Sequence, residues 1–136
     1  MTVYVLDASA ILRLLDKEAG WERVAAMLAE AAKGSAELAI SAIQWGEIAG
    51  AVLKKQSPAV AAHALEMISR FTLRIEAVTA GRAIRAAALK NDRNIAYASA
   101  LALNLAMDSP DAVLVTADEG FKAVEDLVRI EFLPAK

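Results

Sequence analysis

The chain contains no cysteine, so neither a disulfide nor a thiolate-held metal can stabilise it, and it suits a reducing, cytoplasmic setting. It also has no surplus of positive charge. Lys+Arg 15 against Asp+Glu 17 gives a net charge of -2, so any nucleic-acid contact must come from a local basic patch rather than a global field. Aromatic residues are scarce, at 5%. Trp21 and Trp45 fall on apolar helix faces, as core or interface anchors rather than base-stacking platforms. No glycine-rich loop follows an apolar run, which argues against a nucleotide hydrolase. The most apolar stretch, residues 95–107, is interrupted by Ser99 and Asn104 and is too short to span a bilayer. The start of the chain enters an apolar run without a basic segment before it, so no signal peptide is expected.

What the chain does have is aliphatic bulk. Hydrophobic residues make up 57% of its 136 positions, much of that alanine. This length predicts one domain with a full core, and the composition predicts closely packed helices with some apolar surface for a partner. Short β-type runs at 3–6, 37–40, 73–77, 112–115 and 128–131 alternate with helical patterns. Trp21, Val24, Ala25 and Leu28 repeat at amphipathic spacing. Ser9 is the expected cap of the first helix, and Ser41-Ala42-Ile43-Gln44 has the form of a capping box. Pro58 suits a first helical turn, and Thr79 a cap. A helix over 95–107 and a short one over 119–126 complete the pattern. Alternation of this kind predicts an α/β domain spanning 1–136, with a mostly parallel sheet and right-handed crossovers.

Three acids stand where such a sheet would bind ligands. Asp7 closes the first apolar run, Asp118 follows the run ending Val115-Thr116-Ala117, and Glu47 lies in the helix after the second. Each has an ordinary reading too: Asp7 as a turn acid, Asp118 as a helix cap, Glu47 as a solvated helix residue. Together they suggest a site for a hard cation, since Mg²⁺ or Mn²⁺ takes oxygen ligands and keeps several waters. A cation there could activate water and neutralise charge on a phosphodiester.

The segments Val5-Leu6-Asp7-Ala8-Ser9-Ala10, Ser41 with Glu47, and Val115-Thr116-Ala117-Asp118-Glu119-Gly120-Phe121 resemble the PIN-domain family, and within it the VapC-type toxin ribonucleases of toxin–antitoxin pairs. The resemblance runs over nearly the whole chain. It implies a five-stranded, three-layer α/β fold, Mg²⁺- or Mn²⁺-dependent RNA cleavage, a homodimer, and a small antitoxin covering the groove. By position it makes Asp7, Glu47 and Asp118 the catalytic acids, with Asp7 and Asp118 on the metal and Ser9, Ser99 and Thr116 lining the site. At Ile95-Ala96-Tyr97-Ala98-Ser99 the chain departs from the family, which carries an aspartate where Ser99 stands. Asp92 lies seven positions upstream, roughly 10 Å along a helix axis, and Asp108 and Asp111 fall at the far end, so none replaces it.

The alternative is therefore a weakened or silent PIN domain that binds RNA or an antitoxin without cutting. Arg13 and Lys17, with Lys54, Lys55 and Lys122, are the expected phosphate contacts. His63, the only histidine, sits remote from the acids and is set aside. A haloacid-dehalogenase phosphatase would want a second aspartate where Ser9 stands, and a response-regulator receiver a late lysine after a strand; neither pattern is present.

Overall fold

The computed structural model describes all 136 residues. The elements run β1 (Thr2–Leu6), α1 (Ala8–Leu15), α2 (Trp21–Ala32), β2 (Ala36–Ser41), α3 (Ala42–Lys55), α4 (Pro58–Ser69), β3 (Leu73–Glu76), α5 (Ala80–Arg93), α6 (Tyr97–Ala106), β4 (Ala112–Thr116), a 3-10 turn (Glu119–Val124) and β5 (Arg129–Phe132). The strands form one five-stranded sheet in the order β3-β2-β1-β4-β5. Every pairing is parallel, not merely most of them.

Side chains alternate across each strand, so the sheet builds two cores. Tyr4 and Leu6 of β1, with Leu38 and Ile40 of β2, pack on Ile11, Val24, Met27 and Ile48 from α1, α2 and α3. Val5, Ala39 and Leu114 point the other way, onto Leu103 and Leu105 of α6 and Phe121 and Val124 of the 3-10 turn. The result is the expected three-layer arrangement. No helix is long and apolar enough to cross a membrane.

The strand order places a switch point at β1. The chain winds outward through β2 and β3, then crosses to the opposite side of β1 for β4 and β5. At such a point the crossovers leave in opposite directions and open a crevice at the carboxyl ends of the two strands. Leu6 pairs with Val115 there, and the Asp7 amide continues the ladder by donating to the Val115 carbonyl at 3.2 Å.

Local differences from the expected elements each have a cause. Helix α1 begins directly after β1, so Asp7 rather than Ser9 is its cap, accepting from the Ala10 amide. Ser41 caps α3, but Gln44 does not return to Ser41, because its amide is engaged elsewhere. Helix α6 starts only at Tyr97, two residues inside the apolar run, with Asn94 closing α5 in a left-handed conformation. The segment after Asp118 winds as a 3-10 turn.

Candidate active site

Asp7 is 4% exposed and anchors a network built from both sides of the crevice. The Ser9 hydroxyl donates to Asp7 Oδ1 at 2.6 Å, and the Thr116 hydroxyl to Oδ2 at 2.8 Å. The Ala10 amide adds a longer bond to Oδ1 at 3.3 Å. Each hydroxyl also accepts from the backbone of the β4 turn. Ser9 Oγ takes the Ala117 amide at 2.8 Å, and Thr116 Oγ1 takes the Asp118 amide at 2.9 Å. The two hydroxyls therefore stitch the end of β1 to the end of β4 and set where Asp118 leaves the sheet. Burial pushes the Asp7 carboxyl above the usual carboxylate range, with a smaller contribution from the charge on Asp118; the Ser9, Thr116 and Ala10 donors oppose it.

Asp118 is exposed, and its Oδ1 accepts from the Gly120 amide at 2.8 Å. A Cβ at position 120 would sit 3.0 Å from that oxygen, so glycine there lets the carboxylate take this position. Beside Asp118 lies an open cleft of about 660 Å³, whose walls carry Arg13, Lys55 and Lys136 together with Asp16 and Glu18.

The other residues singled out from sequence fall around this core rather than in it. Glu47 is exposed on α3, and no third Asp, Glu or His joins Asp7 and Asp118 in a cluster able to hold a metal. Ser99 is half-buried in the first turn of α6 and takes no part in the Asp7 network. Arg13 is 8% exposed, and its Nη1 is occupied by the carbonyls of Ala19 and Pro134, both at 2.7 Å. Lys17 is exposed with its ammonium 5.7 Å from the Trp21 ring centroid. Lys55 pairs with Asp16 at 3.0 Å, Lys122 with Glu119 at 3.4 Å, and Lys54 remains exposed. His63 is exposed on α4, on the surface.

Sequence reasoning missed three contributors. Gln44 carries the strongest signal, but as a capping residue it points to the wrong partner. Gly120 falls in the Val115–Phe121 segment, where its contact with Asp118 is not visible, and Lys136 has no local pattern that marks it.

A family description, the PIN domain, matches residues 4–127. The chain belongs to the PIN-domain family. Solved structures agree in fold. A chain in the DNA-bound VapBC structure from Salmonella typhimurium aligns with a TM-score of 0.74 and 18% identity, covering 97% of this chain and 98% of that one. VapBC2 from Rickettsia felis, bound to a promoter DNA fragment, gives a TM-score of 0.70 and 19% identity over 98% and 100% of the two chains. VapBC-1 from nontypeable Haemophilus influenzae gives 0.64 and 18% over 96% and 98%. A search of curated protein sequences found no match.

The acids of this PIN domain could supply only part of a hard cation's ligand shell. Asp7 Oδ2 receives the Thr116 hydroxyl and keeps a lone pair, and Asp118 Oδ2 is free of protein donors. Two hard oxygens are too few for an all-protein cage. They suit an ion such as Mg²⁺, which is commonly held by one or two carboxylates, its own waters and substrate phosphates.

Proposed function

We propose that this PIN domain is a metal-dependent endoribonuclease of the VapC type, the toxin of a type II toxin–antitoxin pair acting in the cytoplasm. The observation that carries the reading is the pairing of Asp7 and Asp118 across the switch point, bridged by the Ser9 and Thr116 hydroxyls. Mg²⁺ or Mn²⁺ held by Asp7 and Asp118 would supply a water acidic enough to attack a phosphodiester and would neutralise charge on the phosphoryl oxygen. The residues of the chain do the rest. Ser9 and Thr116 hold Asp7 in a fixed orientation and favour its ionised form against burial. Glu47, the third catalytic acid in this reading, contributes negative charge from α3. Lys55 and Lys136, ion-paired with Asp16 and Glu18 on the walls of the cleft beside Asp118, and the exposed Lys17 are the cations that would meet a phosphate, where the net charge of the chain provides no general attraction.

The partners follow from surface chemistry. Leu53, Val60 and Met67 are exposed on α3 and α4, and Val60 lines a groove of about 200 Å³ with Leu12, Leu15, Val52 and Ala64. Solvent-exposed aliphatic surface of this kind supports an antitoxin and a homodimer as its covers. The structural relatives named above are VapBC structures, and a further fold match is a toxin–antitoxin complex from Klebsiella pneumoniae, which supports the same partner class.

Ser99 and the outlying Glu47 favour one second reading, a domain that binds RNA or an antitoxin without cutting. Cleavage of RNA with Mg²⁺ or Mn²⁺ separates the two, using the chain as it stands, Ser99→Asp, and Asp7→Asn as the control. Cutting by the parent but not by Asp7→Asn supports the nuclease. Cutting by Ser99→Asp alone supports the binding-only reading, and cutting by neither overturns the nuclease assignment.

A further inference from the structure

Gln44 is 4% exposed, yet both polar atoms of its amide have partners. Its Oε1 accepts from the Ala8 amide at 2.7 Å, and its Nε2 donates to the Ala98 carbonyl at 2.8 Å. A backbone amide can only donate and a carbonyl can only accept, so just one orientation of the side chain satisfies both. Ala8 follows Asp7 directly, Ala98 precedes Ser99, and Gln44 sits one turn before Glu47 on α3. One planar group thus ties together the first turns of α1, α3 and α6.

The Ala8 amide is among the donors that a helix leaves unpaired at its first turn. Gln44 satisfies it from 36 residues away, adding a hydrogen bond to the apolar packing of α1 on α3. The second bond links that junction to α6, 54 residues further on. No buried side-chain polar atom in the molecule lacks a partner, so this bridge is part of a fully paired interior.

We infer that Gln44 is a positioning residue of the acidic site, fixing the turn that carries Asp7 against the first turn of α6. The inference rests on the nuclease reading for its consequence, which is a metal-binding geometry. Gln44→Met keeps the length and bulk of the side chain but removes both bonds. Gln44→Glu keeps the acceptor for Ala8 and loses the donor to Ala98.

The test uses the full chain, Mn²⁺ alone as the probe, and residue-resolved amide exchange. In Gln44→Met, Mn²⁺ affinity measured by calorimetry falls about tenfold while far-ultraviolet circular dichroism stays unchanged. Exchange accelerates at Ala8 and through the first turn of α6, and the central strands remain protected. In Gln44→Glu, Ala8 stays slow and only the α6 turn loosens, a result that stands even if Gln44→Met does not fold. Unchanged Mn²⁺ affinity in folded Gln44→Met, or unchanged exchange at Ala8, overturns the positioning role and leaves the nuclease reading intact. If neither the parent nor Ser99→Asp binds Mn²⁺, the nuclease reading fails and the positioning role falls with it.

Discussion

Replacing Arg13 by methionine separates a structural role from a substrate role for a cation that lines the cleft beside Asp118. Its Nη1 donates to Ala19 in the α1–α2 loop and to Pro134 beyond β5, both at 2.7 Å, so one nitrogen holds the chain's last segment against that loop. Hydrogen bonds from a charged donor contribute roughly 1.5–3 kcal/mol each. Pro134 is exposed and Ala19 half-buried, so water replaces part of what is lost, and the lower end of the range applies to both. The expected cost is about 3 kcal/mol, with methionine preserving most of the apolar stem contact. For a domain of this size that lowers Tm by roughly 10 °C. Urea unfolding followed by circular dichroism should show a lower midpoint at an unchanged slope. RNA affinity of the folded fraction should keep its salt dependence. A Tm within about 2 °C of the parent, together with a salt slope smaller by about one, would refute the reasoning and return Arg13 to the phosphate-binding set.

Asp7→Asn should be more stable than the parent at pH 7 while losing all cleavage. Burial raises the folded-state pKa of Asp7, so ionised Asp7 costs stability above that pKa, and the cost disappears as pH falls through it toward the ordinary 3.8. Melting temperatures across that window should therefore converge at the acid end, and a parent more stable than Asp7→Asn at pH 7 would contradict the sign. Thr116→Val keeps the shape but strips Asp7 Oδ2 of a donor and the Asp118 amide of its acceptor at a fully buried position. It should cost about 2 kcal/mol of unfolding free energy and slow cleavage. In a double-mutant cycle with Asp7→Asn, the two stability changes should be non-additive.

Much of the site was legible because its signals are local. A strand ending in an acid is visible in Val3-Tyr4-Val5-Leu6-Asp7, and Thr116-Ala117-Asp118 repeats the form. Ser9 and Thr116 were placed in the site, but their shared function was hidden. Each accepts a backbone amide from the β4 turn while donating to Asp7, and the Thr116–Asp7 and Ala117–Ser9 bonds link positions 109 and 108 residues apart. Gln44 was misassigned for the same reason. Its spacing from Ser41 favours a reciprocal cap, and only the approach of α1 and α6 offers the partners it takes instead. Arg13 looked like a phosphate contact because nothing near it in sequence shows that Ala19 and Pro134 converge on its guanidinium.

The amino-acid sequence alone determined the alternation of strands and helices, because side-chain periodicity and cap residues act over a few positions. It also determined which strand ends carry acids. The tertiary structure decided the strand order, and with it the switch point that brings Asp7 beside Asp118 and leaves Glu47 apart. It decided as well that Asp7 is buried and that Ser99 stands outside its network. Those outcomes depend on which surfaces pack together, and a carboxylate's donors and solvent exposure are set by neighbours far away along the chain.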